Sequence, residues 1–469
     1  MEGLDLANLS IVRAARALRD KELSPLELTE AYLRRIEELN PQVNAYITVT
    51  AERALEDARR ATEELAAGKA RGPLHGIPIA HKDLYETAGI RTTGGARIHT
   101  NHIPEADCTV ARKLREAGTI LLGKLNTHEY AFGVTTNNPH FGPTRNPWDL
   151  ERIPGGSSGG AGAAIAAGLA TATTGSDTGG SIRMPASVCG VVGLKPTYGR
   201  VSKAGVLPLS YRFDHTGPLT RTVEDAALML NAIAGYDPGD ATSLRVPVED
   251  ATAGLGAGIR GLRIGVPRGY FFDHLEDEIA EAIETAITEF TRLGAKVCDV
   301  AIPGVAEAVG GLFGFVIAEA QEIHADSLRD RPDDFGADLR AILEGAAPDT
   351  AALMASLRAC DALTAAMRTT LETVDVLITP TTPITAVRIG QESVRYGDME
   401  ESVMFAMIRC TAPFNATHLP ALSLPCGFSR AGLPVGMQVV GRPFDEATVV
   451  RVGHAFEQAT NWHSRTPEL

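Results

Sequence analysis

The chain is poor in the residues that build disulfide, metal and nucleic-acid proteins. Six cysteines are scattered over 469 residues, with no C-x-x-C pair, so a disulfide framework is excluded and a reducing, cytoplasmic compartment is expected. Twelve histidines include no H-x-x-x-H pair, and no metal or other cofactor is expected. Basic charge is in deficit: 44 Lys and Arg stand against 58 Asp and Glu, for a net charge of -14. Phosphate binding needs basic surface, so the balance points to small-molecule partners and away from nucleic acid. The start, Met1-Glu2-Gly3-Leu4-Asp5, lacks the basic and apolar segments of a secretory leader. The longest weakly polar run, Ala161 to Thr174, is too short to cross a membrane, and no membrane partner is expected.

What is present is glycine and serine, concentrated between Pro154 and Pro185. The stretch reads Pro154-Gly155-Gly156-Ser157-Ser158-Gly159-Gly160-Ala161-Gly162, then a small-residue run, then Gly175-Ser176-Asp177-Thr178-Gly179-Gly180-Ser181-Ile182-Arg183. Upstream stands Gly76-Ile77-Pro78-Ile79-Ala80-His81-Lys82-Asp83. Glycine lets backbone N–H groups approach a ligand closely. Serine in such a loop is a candidate nucleophile, and a lysine kept neutral by burial is a candidate base.

Around these blocks the secondary structure alternates. Ser24-Pro25-Leu26-Glu27 is a capping box with proline at the first helical position; the helix it opens is expected to stop before Pro41. A second helix is expected from Ala51 to Ala67, closed by Gly68. From Ile77 strands and helices alternate: strand 77–80, helix 109–116, strand 119–122. Strand 262–266, helix 277–293 and strand 296–300 form a β-α-β unit, hence parallel strands. Further strands are expected at 374–378, 419–424 and 435–440. The chain is read as a single domain, 1–469. It comprises an N-terminal helical region (1–70), a core (71–235), a second half (262–375) with a helical insert (305–370), and a C-terminal return to the sheet (376–469). The segment 235–261 is expected to join two halves of one sheet.

An amide is a poor electrophile, so its cleavage needs a strong nucleophile, a proton donor for the leaving amine and an oxyanion site. Ser181 follows two glycines, and the backbone N–H groups of Thr178, Gly179, Gly180 and Ser181 can converge on an oxyanion if the loop is tight. Lys82 is the candidate base; a solvated lysine titrates near 10.4 and must be desolvated to act. A helix starting near Gly160 places a positive dipole end close by. Asp83 alternates to the opposite face of the strand. Either Ser157 or Ser158 can bridge lysine and nucleophile, since a hydroxyl both donates and accepts; the other is left to orient the loop or cap the helix. Arg183 can pair with Asp177 if the chain after Ser181 is extended, as a partly exposed ion pair. Gly156-Ser157-Ser158-Gly159-Gly160 also fits G-x-S-x-G, but that elbow follows a strand directly and here a loop precedes it. Gly160-Ala161-Gly162 lacks the third glycine of a dinucleotide loop, with Ile165 in its place.

Taken together, the Gly-Gly-Ser-Ser-Gly-Gly block, the Asp-Thr-Gly-Gly-Ser-Ile-Arg block 24 residues on from Ser157 to Ser181, and the Lys-Asp after Gly-Ile-Pro-Ile resemble the amidase signature family. The flanks 141–148 and 189–197 resemble it too. The resemblance implies a three-layer α/β/α fold with a large mixed, mostly parallel central sheet. It implies a Ser181 acyl-enzyme with Lys82 as base, Ser157 as relay, and a cis peptide bond at Gly156–Ser157. Met184 stands where the family's glutamine-dependent members carry glutamine. Ile408 stands at their acidic position before Thr411-Ala412-Pro413-Phe414-Asn415. Phe132, Gly133, Met184 and Phe414, with Phe405 and Met407, are candidates for an apolar substrate pocket. These departures place the chain nearer stand-alone amidases than the A subunits of glutamyl-tRNA amidotransferases. The expected partner is a small apolar or aryl amide or carbamate, and a homodimer is compatible. The alternatives are an aryl carbamate hydrolase and the A component of a glutamine-dependent amidotransferase.

Overall fold

The computed structural model describes residues 5–396 and 399–469; the tetrapeptide 1–4, read above for the lack of a leader, lies outside them. The N-terminal part supplies α1 (Ile11–Arg19), α2 (Pro25–Val43), β1 (Tyr46–Val49) and α3 (Ala51–Ala66). The core follows with β2 (Pro78–Lys82), α4 (Thr109–Glu116), β3 (Ile120–Leu125), the short pair β4 (Asn137–Asn138) and β5 (Gly142–Pro143), then α5 (Gly159–Ala166), β6 (Ala172–Asp177), α6 (Arg183–Cys189), β7 (Val192–Lys195), β8 (His215–Thr220) and α7 (Val223–Ile233). The second half contains β9 (Arg263–Pro267), α8 (Asp277–Arg292), β10 (Lys296–Val300), the helices α9 (Val305–Asp330), α10 (Ala337–Leu343) and α11 (Thr350–Thr373), and β11 (Val376–Pro380). The chain closes with the hairpin β12 (Ser393–Tyr396) and β13 (Met399–Ser402), α12 (Val403–Ile408), α13 (Pro413–Ala416), β14 (Ala421–Phe428), β15 (Pro434–Val440) and α14 (Glu446–Ala459).

Among the described residues eleven strands form one mixed sheet in the order β1-β3-β2-β6-β8-β7-β14-β15-β11-β9-β10. Helices cover both faces, giving the three-layer α/β/α arrangement. β2 runs parallel to β3 and β6, and β9 runs parallel to β10 and β11. Between these parallel groups, β8, β7, β14 and β15 pair antiparallel. The β-α-β unit over 263–300 lies at one edge. β15, the last strand in the chain, is the hydrogen-bonded link between β14 and β11.

Two local expectations change. α2 runs through Pro41 to Val43 and ends at Asn44, which takes the left-handed conformation (φ 53°) and donates its N–H to Asn40 O. Proline removes one backbone bond and crowds the preceding turn; here the capping box, Ser24 with Glu27, and the buried stripe Leu28, Tyr32, Ile36, Leu39 and Val43 hold the helix past it. After Ser181 the chain is not extended: it turns directly into α6.

Candidate active site

Lys82 is the last residue of β2, a strand buried along its whole length between β3 and β6. Strand alternation sends Lys82 and Asp83 to opposite sides. Asp83 accepts hydrogen bonds from Thr93 N at 2.9 Å and Thr93 Oγ1, with Lys124 Nζ at 3.8 Å. Lys82 Nζ lies 2.7 Å from Ser157 Oγ and 2.9 Å from Ser176 Oγ. Burial pushes the Lys82 ammonium down to about 7, against the opposing pull of the Asp214 and Asp177 carboxylates. Lys124 and Lys195 are buried too. Lys124 Nζ donates to Thr92 Oγ1 at 2.7 Å and to Tyr85 O, and Lys195 Nζ donates to the Leu419 and Pro196 carbonyls. Lys82 is the one that meets two serines.

Ser157 sits in a loop that only glycine can make. The Gly156–Ser157 peptide bond is cis, and a Cβ on Gly156 would meet Val134 C at 2.6 Å and Thr135 N at 2.7 Å. The Ser157 carbonyl accepts from Thr127 Oγ1 at 3.0 Å, His128 N at 3.1 Å and Thr136 Oγ1 at 3.3 Å. Ser158 does not cap α5 with its side chain. Its hydroxyl instead donates to Ser176 O at 3.2 Å and accepts from Ser176 N at 3.3 Å. Its backbone N–H donates to Ser181 O at 3.2 Å, joining the two serine loops.

Ser181 is buried, at 5% exposure. Among the described residues its Oγ has no hydrogen-bond partner, so the Lys82–Ser157 link is closed while the Ser181 hydroxyl is unengaged. Gly180 has φ +139°, and a Cβ there would run into the Thr411 side chain. The loop's carbonyls are turned into the protein: Gly180 O accepts from Met184 N at 2.7 Å and Gly179 O from Thr411 Oγ1 at 2.6 Å. Among the described residues the N–H groups of Thr178, Gly179, Gly180 and Ser181 donate no hydrogen bond within the molecule. Free N–H donors beside a hydroxyl are chemically suited to a developing oxyanion.

The loop is held from below by a buried ion pair. Arg183 is fully buried, not partly exposed. Its guanidinium donates to both oxygens of Asp177 (3.0 and 2.9 Å), to Thr411 O at 2.9 Å, to Gln438 Oε1 at 3.0 Å and to Asn415 Oδ1 at 2.7 Å. Burial alone would raise the Asp177 carboxyl; Arg183 outweighs it and brings the group down to about 2. Thr178 Oγ1 donates to Asp214 Oδ1 at 2.6 Å. Ser176, Asp214, Asn415 and Gln438 were not anticipated as parts of the site. Asn415 and Thr411 stood in a motif already noted, and Ser176 precedes the nucleophile loop on the strand that flanks Lys82.

A cavity of about 40 Å3 opens beside Ser181, lined by Phe132, Gly133, Val134 and Met184, by Leu312, Phe313 and Val316 of α9, and by Met404 and Ile408 near α12. Phe414 does not reach it: it is fully buried and stacks on Phe271 at 5.5 Å. Met407 is likewise core. Phe405 is not in the lining; it is 43% exposed and its ring lies 5.1 Å from that of Phe313. Among the described residues no group of three or more His, Cys, Asp or Glu is placed to hold a metal ion.

A family model described as Amidase matches residues 27–450. The A subunit of the glutamyl-tRNA(Gln) amidotransferase of Moorella thermoacetica is 45% identical to the chain, covering 99% of each. A solved protein of a vestigial complex, tied to the origin of an s-triazine catabolic enzyme, superposes with TM-score 0.92 at 35% identity, over 96% of this chain and 98% of that one. A bacterial aryl acylamidase superposes with TM-score 0.90 at 28% identity, over 97% of this chain and 98% of that one. Curated relatives between 42% and 45% identical over nearly the full length carry the amidotransferase name. They overturn the expectation that the chain stands nearer to stand-alone amidases. Those relatives are named as one subunit of an enzyme and for a tRNA, so the restriction to small-molecule partners and the exclusion of nucleic acid are withdrawn as well. Acidity summed over a whole chain does not report what other components of an assembly carry.

Proposed function

We propose, since this chain belongs to the amidase family, that it is the amide-cleaving component of a tRNA-dependent amidotransferase. As a family member it is a hydrolase acting on carbon–nitrogen bonds. In this reading Ser181 Oγ attacks the amide carbon of glutamine, and its proton passes through Ser157 to neutral Lys82. The oxyanion is met by the N–H groups of 178–181. The lysine then returns the proton to the departing nitrogen, which leaves as ammonia. Water repeats the sequence on the acyl-enzyme, releasing the acid and restoring Ser181. The ammonia is destined for a glutamyl group on tRNA held by a partner protein. The observation that carries the chemistry is the 2.7 Å contact between Lys82 Nζ and Ser157 Oγ, with the amine drawn down to about 7 by burial. Near-full-length identity to amidotransferase A subunits supports the choice of acceptor.

One observation favours a second reading. The cavity beside Ser181 has no ionisable side chain in its lining, whereas bound glutamine brings an ammonium and a carboxylate that need partners when buried. An apolar or aryl amide, or the matching carbamate, meets that lining without penalty. Both readings expect a cytoplasmic enzyme; among the described residues no helix is long and apolar enough to cross a membrane. The experiment measures ammonia released from glutamine by the chain alone and by the chain co-purified with the other amidotransferase subunits of its source, beside anilides and aryl carbamates. Ser181→Ala serves as control. Glutamine turnover that needs the partners supports the first reading. Anilide turnover by the chain alone, with glutamine inert in every combination, overturns it in favour of the second.

A further inference from the structure

The cavity at Ser181, about 40 Å3, holds little more than a water molecule, far below the roughly 300 Å3 at which ligand pockets begin. An acyl group of more than a few atoms fits into this cavity only if a wall moves. The wall formed by Thr178, Gly179 and Met184 is pinned by the Asp177–Arg183 pair and by Thr411. The opposite wall is α9 and α12. From the buried Phe132 a line of rings runs outward: Phe132 to Phe313 at 6.2 Å, then Phe313 to Phe405 at 5.1 Å, with Phe405 exposed. Phe313 stands between the cavity and solvent.

α12 is also the poorly satisfied part of this wall. Among the described residues three buried polar atoms beside it lack a hydrogen-bond partner: Tyr396 Oη and Glu401 Oε2 from the preceding hairpin, and Arg409 Nε just after it. Arg409 lies 5.7 Å over the Tyr396 ring and donates from its other nitrogen to His274 O at 2.7 Å. Unpaired buried donors and acceptors disfavour an arrangement, so a shift of α12 that pairs them costs little.

We propose that α12 is the moving wall of the acyl pocket, and that Phe313 and Phe405 form its gate and set the size of the acyl group admitted. This rests on Ser181 being the nucleophile. The test compares labelling rates of the full chain by two fluorophosphonates, one carrying an ethyl group and one a biphenyl group, with Ser181→Ala as control. Phe313→Ala and Phe405→Ala each raise the biphenyl-to-ethyl ratio by about tenfold, and Phe313→Trp lowers it similarly, the scale expected for gaining or losing pocket volume. Tyr396→Phe, which removes one unpaired group from the closed arrangement, lowers the same ratio. Ratios within about twofold of the parent in both Phe313 variants and in Phe405→Ala overturn the gate. Failure of both probes to label the folded parent chain overturns the assignment of Ser181, and the gate with it. Phe405 is exposed, so its variant keeps the test alive if Phe313→Ala does not fold.

Discussion

The pH dependence of Ser181 acylation tests the mechanism at its most vulnerable point. Lys82 is drawn from 10.5 to about 7 because burial disfavours its charged form. That gap corresponds to about 5 kcal/mol between the two protonation states. At pH 7 the neutral fraction rises from about one in three thousand to about one half, roughly a thousandfold gain in base. Only the neutral amine accepts a proton, so the acylation rate increases about tenfold per pH unit below 7 and levels off above it. The assay is single-turnover labelling by a small fluorophosphonate between pH 5 and 10, which avoids the protonation of a leaving amine. Lys82→Arg keeps the charge at all these pH values and removes labelling. The same burial makes Lys82 a liability for folding. The folded state binds fewer protons than the unfolded chain between about 7 and 10.5, so this residue's contribution to stability falls as pH drops through that window. Lys82→Met is therefore inactive yet more stable at pH 7, by at most about 5 kcal/mol less the hydrogen bonds to the two serines. A profile flat from pH 5 to 9, or one still rising at pH 9, refutes the buried-base argument. So does a Lys82→Met chain that melts below the parent.

Arg183→Lys leaves a charge but cannot fork to Asp177, Asn415 and Gln438 together. It is expected to destabilise by about 3 kcal/mol in urea melts and to lower kcat more than it changes KM. Gly180→Ala forces a methyl against Thr411 at a backbone angle closed to other residues; labelling of Ser181 falls by about a hundredfold or more, as on loss of an oxyanion donor, while the melting temperature changes modestly. Burial raises Asp225 to about 7 and Glu457 to about 8. Both bind protons in the folded state that the unfolded chain has released, so their contribution to stability declines from pH 4 to 8; Asp225→Asn removes its share of that decline in thermal melts compared with the parent across pH.

The loops were legible because their chemistry is written in spacing: lysine after a short strand, two serines 24 residues apart, glycines where the backbone must approach. The outer β-α-β unit was legible because β9 is apolar and its helix amphipathic, although β10, at the sheet edge, is largely exposed. β6 and β8 were not. Ala172–Asp177 and His215–Thr220 are buried on both faces yet built from small and polar residues, so they show neither alternation nor an apolar run. With β6 went Ser176, which faces Lys82 only once the strand is known. Phe414 was misplaced because a large apolar side chain near a motif serves the core as readily as a pocket. Arg183 was placed as partly exposed because its partners Asn415 and Gln438 lie more than two hundred residues away.

Among the described residues β15 is the sole hydrogen-bonded seam between β14 and β11, and it brings Gln438 to Arg183. Lys82, Ser157 and Ser181 come from one early stretch of the chain, yet the groups that complete the Arg183 anchor, Thr411, Asn415 and Gln438, come from more than two hundred residues beyond it. The shape of the Ser181 loop is thereby tied to the closure of the sheet by a strand remote from it in sequence.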